Sequence, residues 1–284
     1  MSLKAHSKKH IIKSLLISTL TLSAYFTIAT NAYAQAGVFE VVHPDVKKGE
    51  TEIELLNGFS LDSIEDGEED FAHEFAIGYG FTDSWKLTAA VELVNIQGED
   101  FEVEGFELES LVLLPWFGNS NGGHSHDHDH DHSHGKKNKK RGGLFDFTLG
   151  FFTALEVPEE DGFDEGALEF GPVAEGSFGP LDWVSNIFIE VPFGEEDPGL
   201  ALATQVIYPI NNQWGIGVES FSEFEGLFGD GDEEELFAGP SLYYSARLGN
   251  GHVIEPRISA LFGLNDESAD AVLSLNIEYK FGGK

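Results

Sequence analysis

Cysteine is absent from all 284 residues, so an exported fold built from this chain cannot rely on disulfides. Basic residues are scarce: 16 Lys and Arg stand against 50 Asp and Glu, for a formal charge of −34. That balance excludes nucleic-acid binding, which needs a positive footprint. Long apolar runs are also missing beyond residue 34, where the longest, from Leu111 to Phe117, has the length of a strand and not of a spanning helix. A chain this acidic could be disordered. Its 24 Phe and its regular apolar alternation argue for a fold instead.

The N-terminal residues read as a secretory signal peptide over 1–34. Lys4, Lys8, Lys9 and Lys13 precede an apolar stretch from Ser14 to about Thr30, and Ala32-Tyr33-Ala34 supplies a small-x-small cleavage site before Gln35. A retained membrane helix is the alternative, because the apolar stretch is close to spanning length. Cleavage would remove four Lys and no acid, leaving the exported chain more acidic still.

From Thr51 onward apolar and polar residues alternate with a period of two, the mark of strands. Leu273, Leu275, Ile277, Tyr279 and Phe281 take one face, while Ser274, Asn276, Glu278 and Lys280 take the other. Twelve such segments are expected, near 51–61, 70–81, 85–96, 101–116, 144–157, 167–177, 181–192, 199–208, 213–224, 236–248, 252–264 and 271–281. An even number suits a bacterial barrel. A β-sandwich would alternate too, but the connections discriminate. Every second one is short, as at Thr82-Asp83-Ser84, Gly179-Pro180 and Gly249-Asn250-Gly251. The intervening ones, at 62–70, 97–100, 158–166, 193–199, 226–235 and 265–269, are crowded with Asp and Glu and hold no Lys, Arg or His. In an up-and-down meander that charge gathers at one mouth. Trp85, Trp116, Trp183 and Trp214, with Tyr208 and Tyr279, fall near the other mouth on the apolar face, as an interfacial aromatic girdle would.

The expectation is therefore an all-β chain: a single antiparallel up-and-down transmembrane β-barrel over 51–284. An N-terminal periplasmic segment over 35–50 precedes it, and a His-rich loop over 118–142 interrupts it. A further strand near Val38 to Val42 would change the count and the topology.

His43-Pro44, Lys48-Gly49, Ala72-His73-Glu74 and the run from Ile77-Gly78-Tyr79-Gly80 through Thr82-Asp83 to Trp85-Lys86 carry a resemblance. They are similar to a family of uncharacterised proteobacterial outer-membrane β-barrel proteins of porin-like type, most clearly over residues 38 to about 93. The resemblance implies location and fold and brings no catalytic residues. Tyr279-Lys280-Phe281 also resembles the aromatic C-terminal assembly signal of such barrels, from which Gly282 to Lys284 depart.

Candidate chemistry lies in two places. His124, His126, His128, His130, His132 and His134 are interleaved with Asp127, Asp129 and Asp131. Imidazole nitrogens and carboxylates suit Zn, Ni, Co or Cu, and the repeat offers overlapping ligand sets without fixing one geometry. A low-complexity loop without a selected role is the alternative. No cofactor is required; a divalent metal ion at this loop is the expected ligand. The run Lys136-Lys137-Asn138-Lys139-Lys140-Arg141 beside it suits anionic headgroups.

The second place is the polar face of the strands, where Glu54, Glu74, Glu92, Glu107, Glu109, Glu190, Glu219, Glu255, Arg257 and Glu278 are candidate pore-lining residues. An acidic lumen behind an acidic vestibule concentrates cations and excludes anions. An enzyme is not expected. A hydrolase needs a histidine base beside its nucleophile, yet His73 falls on the outward face and His252 at a turn. No pair of carboxylates is singled out as a glycosidase would require.

The functional expectation is a Gram-negative outer-membrane channel or transporter favouring cations, with outer-membrane lipid and divalent cations as partners. A non-conducting metal-binding or buffering barrel is the rival, and a soluble periplasmic metal-binding β-protein is the third reading.

Overall fold

The computed structural model describes residues 38–61, 69–96, 101–114, 146–159, 166–194, 197–224, 226, 234–265 and 268–283. Thirteen strands form one antiparallel sheet: β1 (Glu50–Ser60), β2 (Glu69–Thr82), β3 (Trp85–Ile96), β4 (Glu102–Leu113), β5 (Asp146–Pro158), β6 (Ala167–Phe178), β7 (Leu181–Pro192), β8 (Gly199–Pro209), β9 (Trp214–Phe224), β10 (Glu234–Tyr244), β11 (Ala246–Gly249), β12 (His252–Gly263) and β13 (Ala271–Gly282). β10 and β11 are two lengths of one stave interrupted at Ser245. Both pair with β12 in one unbroken register, from Phe237↔Gly263 through Tyr243↔Arg257 to Ala246↔Ile254.

Twelve staves therefore run up and down, as the alternation predicts. The ring closes where β1 pairs with β13, from Glu50↔Gly282 to Ser60↔Val272. Closure makes a ring in which every stave has a neighbour on both sides. Residues 38–42 join no ladder, and the possible extra strand there does not form.

Each stave turns back at one of two ends. At the short-turn end lie Asp83-Ser84, Gly179-Pro180, residues 210–213 and Gly249-Asn250-Gly251, together with both chain ends of the barrel. Gly249, Asn250 and Gly251 have φ of 85°, 55° and 82°. These are left-handed conformations that Gly and Asn accept at little cost, which lets two staves join in a tight turn. Leu114 and Asp146, which flank the His-rich connection, are at this same end. The acidic connections leave from the opposite end.

The two faces of the wall differ chemically. Phe75, Ile77, Tyr79, Phe106, Leu108, Ile187, Val206, Ile216, Val218, Ile258, Leu273 and Leu275 are exposed although apolar. They alternate with buried neighbours such as Ala76, Gln205, Glu219, Ser259 and Ser274. Among the described residues, apart from the strand ends at the acidic mouth, the outward positions carry no Asp, Glu, Lys or Arg. An apolar band around a closed ring is what hydrocarbon selects, since a Lys or Arg there costs roughly 2–4 kcal/mol at mid-membrane depth. Trp85 and Trp214 are exposed near the short-turn end, and the Trp85 indole N–H donates to Ser110 Oγ at 3.0 Å. Trp116 lies outside the described residues.

Candidate functional site in the lumen

All ten candidate pore-lining residues, Glu54, Glu74, Glu92, Glu107, Glu109, Glu190, Glu219, Glu255, Arg257 and Glu278, stand on the inward face. The inward cations are not spread evenly among them. Lys86 and Lys280 sit near the short-turn end, where Lys86 Nζ lies 2.8 Å from Glu52 and 3.8 Å from Glu54. Lys280 pairs with Glu278, with Glu255 at 3.6 Å and with Glu52 at 3.7 Å. Glu107, Glu156, Glu169, Glu190 and Glu223 lie in the other half, toward the acidic connections. The lumen thus runs from an ion-paired end to a carboxylate-rich one.

Between these halves the barrel interior is filled by its own N-terminal segment. Twelve staves enclose more space than wall side chains can fill, unlike eight, and residues 38–47 occupy it. The sequence sets 35–50 apart as a periplasmic segment ahead of the barrel; the described part touches staves around the ring. The Phe39 ring packs 5.0 Å, centroid to centroid, from both Phe221 on β9 and Phe237 on β10. The Phe39 carbonyl accepts from Arg257 Nη2 at 3.1 Å and from Asn276 Nδ2 at 3.0 Å. Val42 packs in a cluster with Leu111, Phe152, Val173 and Phe188 on β4 to β7. Its N–H donates to Asn186 Oδ1 at 2.9 Å, and Asn186 Nδ2 donates back to the Val42 carbonyl at 2.8 Å. Contacts with β4 to β7 on one side and β9 to β13 on the other are open only to a segment inside the ring. We call residues 38–47 the strap.

The wall is shaped to receive the strap. A Cβ at Gly80 would stand 2.1 Å from the Lys47 carbonyl oxygen, and one at Gly150 would stand 2.8 Å from Val173 and 3.4 Å from Pro44. Both glycines occupy inward strand positions: a side chain at Gly80 would push the strap away, and one at Gly150 would crowd Val173 and Leu111, the wall residues packed beside the strap. Asp45 and Lys280 close the contact near the short-turn end at 3.4 Å, and Gly49 N–H donates to the Gly80 carbonyl at 2.7 Å.

Glu219 anchors this arrangement from the wall. Its side chain is fully buried and accepts from the Tyr243 hydroxyl, from Ser259 at 2.6 Å and from Gln205 at 3.3 Å. Arg257 Nε lies 3.4 Å from the same carboxylate. A buried carboxylate and guanidinium hold one another only where further hydrogen bonds complete both. Here that set aims Arg257 at the Phe39 carbonyl.

On the acidic side of the strap, Glu40 meets Glu74 and Glu109, with one carboxylate oxygen of each within 4.8 Å of the others. A cavity of about 90 Å³ adjoins them, lined by Glu74, Ala90, Glu92, Gly105, Glu107 and Glu156. Carboxylate oxygens of this kind suit hard cations such as Ca²⁺ or Mg²⁺. The histidine ligand set, His124, His126, Asp127, His128, Asp129, His130, Asp131, His132 and His134, lies outside the described residues, as does the basic run 136–141.

The described histidines, His43, His73 and His252, are dispersed. His73 is outward, its Nδ1 2.7 Å from Asn57 Oδ1; His252 meets the Tyr279 hydroxyl on the outward face; His43 Nδ1 is 3.3 Å from Glu175.

Sequence reasoning missed the strap and its receptors Asn186, Phe188, Phe221 and Phe237. A signal for them exists. Where apolar residues follow one another, as in Leu111-Val112-Leu113-Leu114, Phe151-Phe152 and Ile187-Phe188-Ile189, one apolar side chain must point inward. Such breaks in the alternation mark places where something other than water fills the lumen.

No protein-family model matches the chain, and no curated protein matches it. Among solved structures, the KdgM porin aligns over 81% of this chain and 99% of its own, at 12% identity and a TM-score of 0.47. The loop L8 deletion mutant of OmpT, an outer membrane protein of Vibrio cholerae, aligns over 84% and 100% at 10% identity and a TM-score of 0.35. The Acinetobacter baumannii outer membrane protein Omp33 aligns over 83% and 98% at 11% identity and a TM-score of 0.38.

Proposed function

We propose that this chain is an outer-membrane channel or transporter of porin-like type that favours cations, exported by a cleaved signal peptide. The observation that carries this reading is the contrast between the two faces of one closed wall: an outward band without charge and an inward face rich in carboxylates. Carboxylates in a confined, low-dielectric passage attract cations and repel anions. The His-rich connection departs from the end opposite the acidic mouth and captures Zn, Ni, Co or Cu there. Metal is a ligand of that loop and not a requirement of the fold, whose wall closes through backbone pairing.

The test is conductance of the purified protein in planar bilayers under a salt gradient. The reversal potential should shift toward the cation equilibrium value. Equal permeability, or no current from either this protein or one lacking residues 38–46, overturns the reading.

A second reading has one specific observation in its favour. Phe39 and Val42 pack with inward apolar residues on both sides of the lumen, as suits a non-conducting barrel that binds or buffers metal through its loop. Deleting residues 124–134 separates the two: a channel keeps its conductance, whereas a buffer loses its metal capacity.

A further inference from the structure

We infer that the strap, residues 38–47, is a built-in gate that closes the lumen while it is docked and opens it by withdrawing. This deepens the channel reading and rests on it.

The wall is complete without the strap. Every stave pairs with two neighbours, and β1 closes on β13, so undocking breaks no interstrand ladder. The docked strap crosses the interior between two apolar clusters. Phe39 and Val41 join Val184, Ala203, Phe221, Phe237, Leu261 and Val272 on one side. Val42 joins Leu111, Phe152, Val173 and Phe188 on the other. Phe237, Leu261, Val272 and Val173 are almost wholly buried although they face the lumen, so the strap packs against the wall on both of these flanks, while toward β2 and β4 its Glu40 meets Glu74 and Glu109. A hydrated cation meets an apolar barrier on those flanks, whatever the carboxylates beyond it attract.

The strap is held by discrete latches. Asn186 grips both backbone groups of Val42, while Arg257 and Asn276 grip the Phe39 carbonyl. At its foot Gly49 is held to the wall by both backbone groups, its N–H donating to the Gly80 carbonyl at 2.7 Å and its carbonyl accepting from the Gly283 N–H at 2.9 Å. Its left-handed φ of 76° turns the chain from the strap into β1, so the strap can pivot ahead of this anchored junction. Once the signal peptide is removed, as proposed above, that junction is the strap's single covalent tether to the wall. The flush seat at Gly80 fits a segment whose docked position has been accommodated by the wall, as a gate requires.

Three proteins in planar bilayers test this. The first is the wild type, the second lacks residues 38–46, and the third carries Val42→Cys with Asn186→Cys, whose two thiols are alone in a chain without cysteine. The deletion should raise mean current at least about thirtyfold, the change expected when a docked state populated roughly 97% of the time is removed. The cysteine pair should be silent when oxidised and more active than wild type when reduced, because Asn186 no longer latches. Folding of each protein is checked by heat-modifiable gel mobility. Equal currents from wild type and deletion, or from the oxidised and reduced pair, overturn the gate and leave the channel standing. If neither the folded wild type nor the folded deletion conducts, the channel reading falls and the gate falls with it. If the deletion does not fold, the oxidised and reduced pair decides alone.

Discussion

Replacing Asn186 by Ala should free the strap while leaving the wall intact. Asn186 is fully buried and makes two hydrogen bonds to one residue, Val42, at 2.9 and 2.8 Å. Its own backbone pairs with Val173 and Ala203 and is untouched by the substitution. Without the carboxamide, the Val42 N–H and C=O are left in an apolar cluster. Each orphaned group costs about 1–3 kcal/mol, so docking weakens by about 2–6 kcal/mol. At about 1.4 kcal/mol per factor of ten, strap opening rises by roughly 30-fold at the low end and about 10⁴-fold at the high end. The ceiling is the total docking free energy, to which the Phe39 and Val42 packing also contributes. Hydrogen exchange read by mass spectrometry on peptides covering residues 38–49 measures it directly, with β7 and β8 peptides as internal reference. Ser185→Ala is the control, because Ser185 faces outward and bonds Thr204 at 3.3 Å. Unchanged strap protection in Asn186→Ala would refute the latch. An equal loss across β7 and β8 would show that Asn186 holds the wall and not the strap.

Other perturbations probe the faces and the loop. Leu275→Arg, on an outward position in the middle of β13, should destabilise the barrel by roughly 2–4 kcal/mol in urea titrations of folding into lipid vesicles; a negligible effect would mean that this face meets water. Glu74→Gln combined with Glu107→Gln and Glu109→Gln should move the reversal potential of an open channel toward zero, and an unmoved value would show that ions do not pass this half of the lumen. Deleting residues 124–134 should abolish high-capacity Ni or Zn binding by calorimetry while conductance persists. Retained metal capacity would shift attention to carboxylates such as Glu40, Glu74 and Glu109. Glu219→Ala should cost about 3–5 kcal/mol, as expected when one partner of a buried ion pair is removed, and should loosen Phe39 with it; a shift confined to the strap would assign Glu219 to the latch alone.

Much of the wall was legible in the amino-acid order. The segments near 181–192 and 85–96 coincide with β7 and β3, and the outward set Leu273, Leu275, Ile277 needs only the period of two. The interruption at Ser245 was not legible, since the alternation continues through it from Tyr244 to Ala246. The candidate lumen residues share the inward face in the structure, but the alternation said nothing of which of them are neighbours. Glu74 and Glu109 appear as separate carboxylates in the sequence; the structure adds Glu40 and brings all three together. Glu40 belongs to no alternating segment, so nothing local announces its place.

Local geometry accounts for what the chain by itself determined: extended backbone throws successive side chains to opposite faces, and lipid and water then sort those faces by polarity. That sorting fixes twelve staves, an uncharged exterior and acidic connections gathered at one end. Tertiary structure decided what lies inside. Phe39 is joined to Arg257 across 218 positions and to Asn276 across 237, and such meetings depend on the curvature and stagger of a closed ring. A twelve-stave ring leaves a central space that wall side chains do not fill, and the chain fills it with a segment that makes no ladder and so carries no periodic signature.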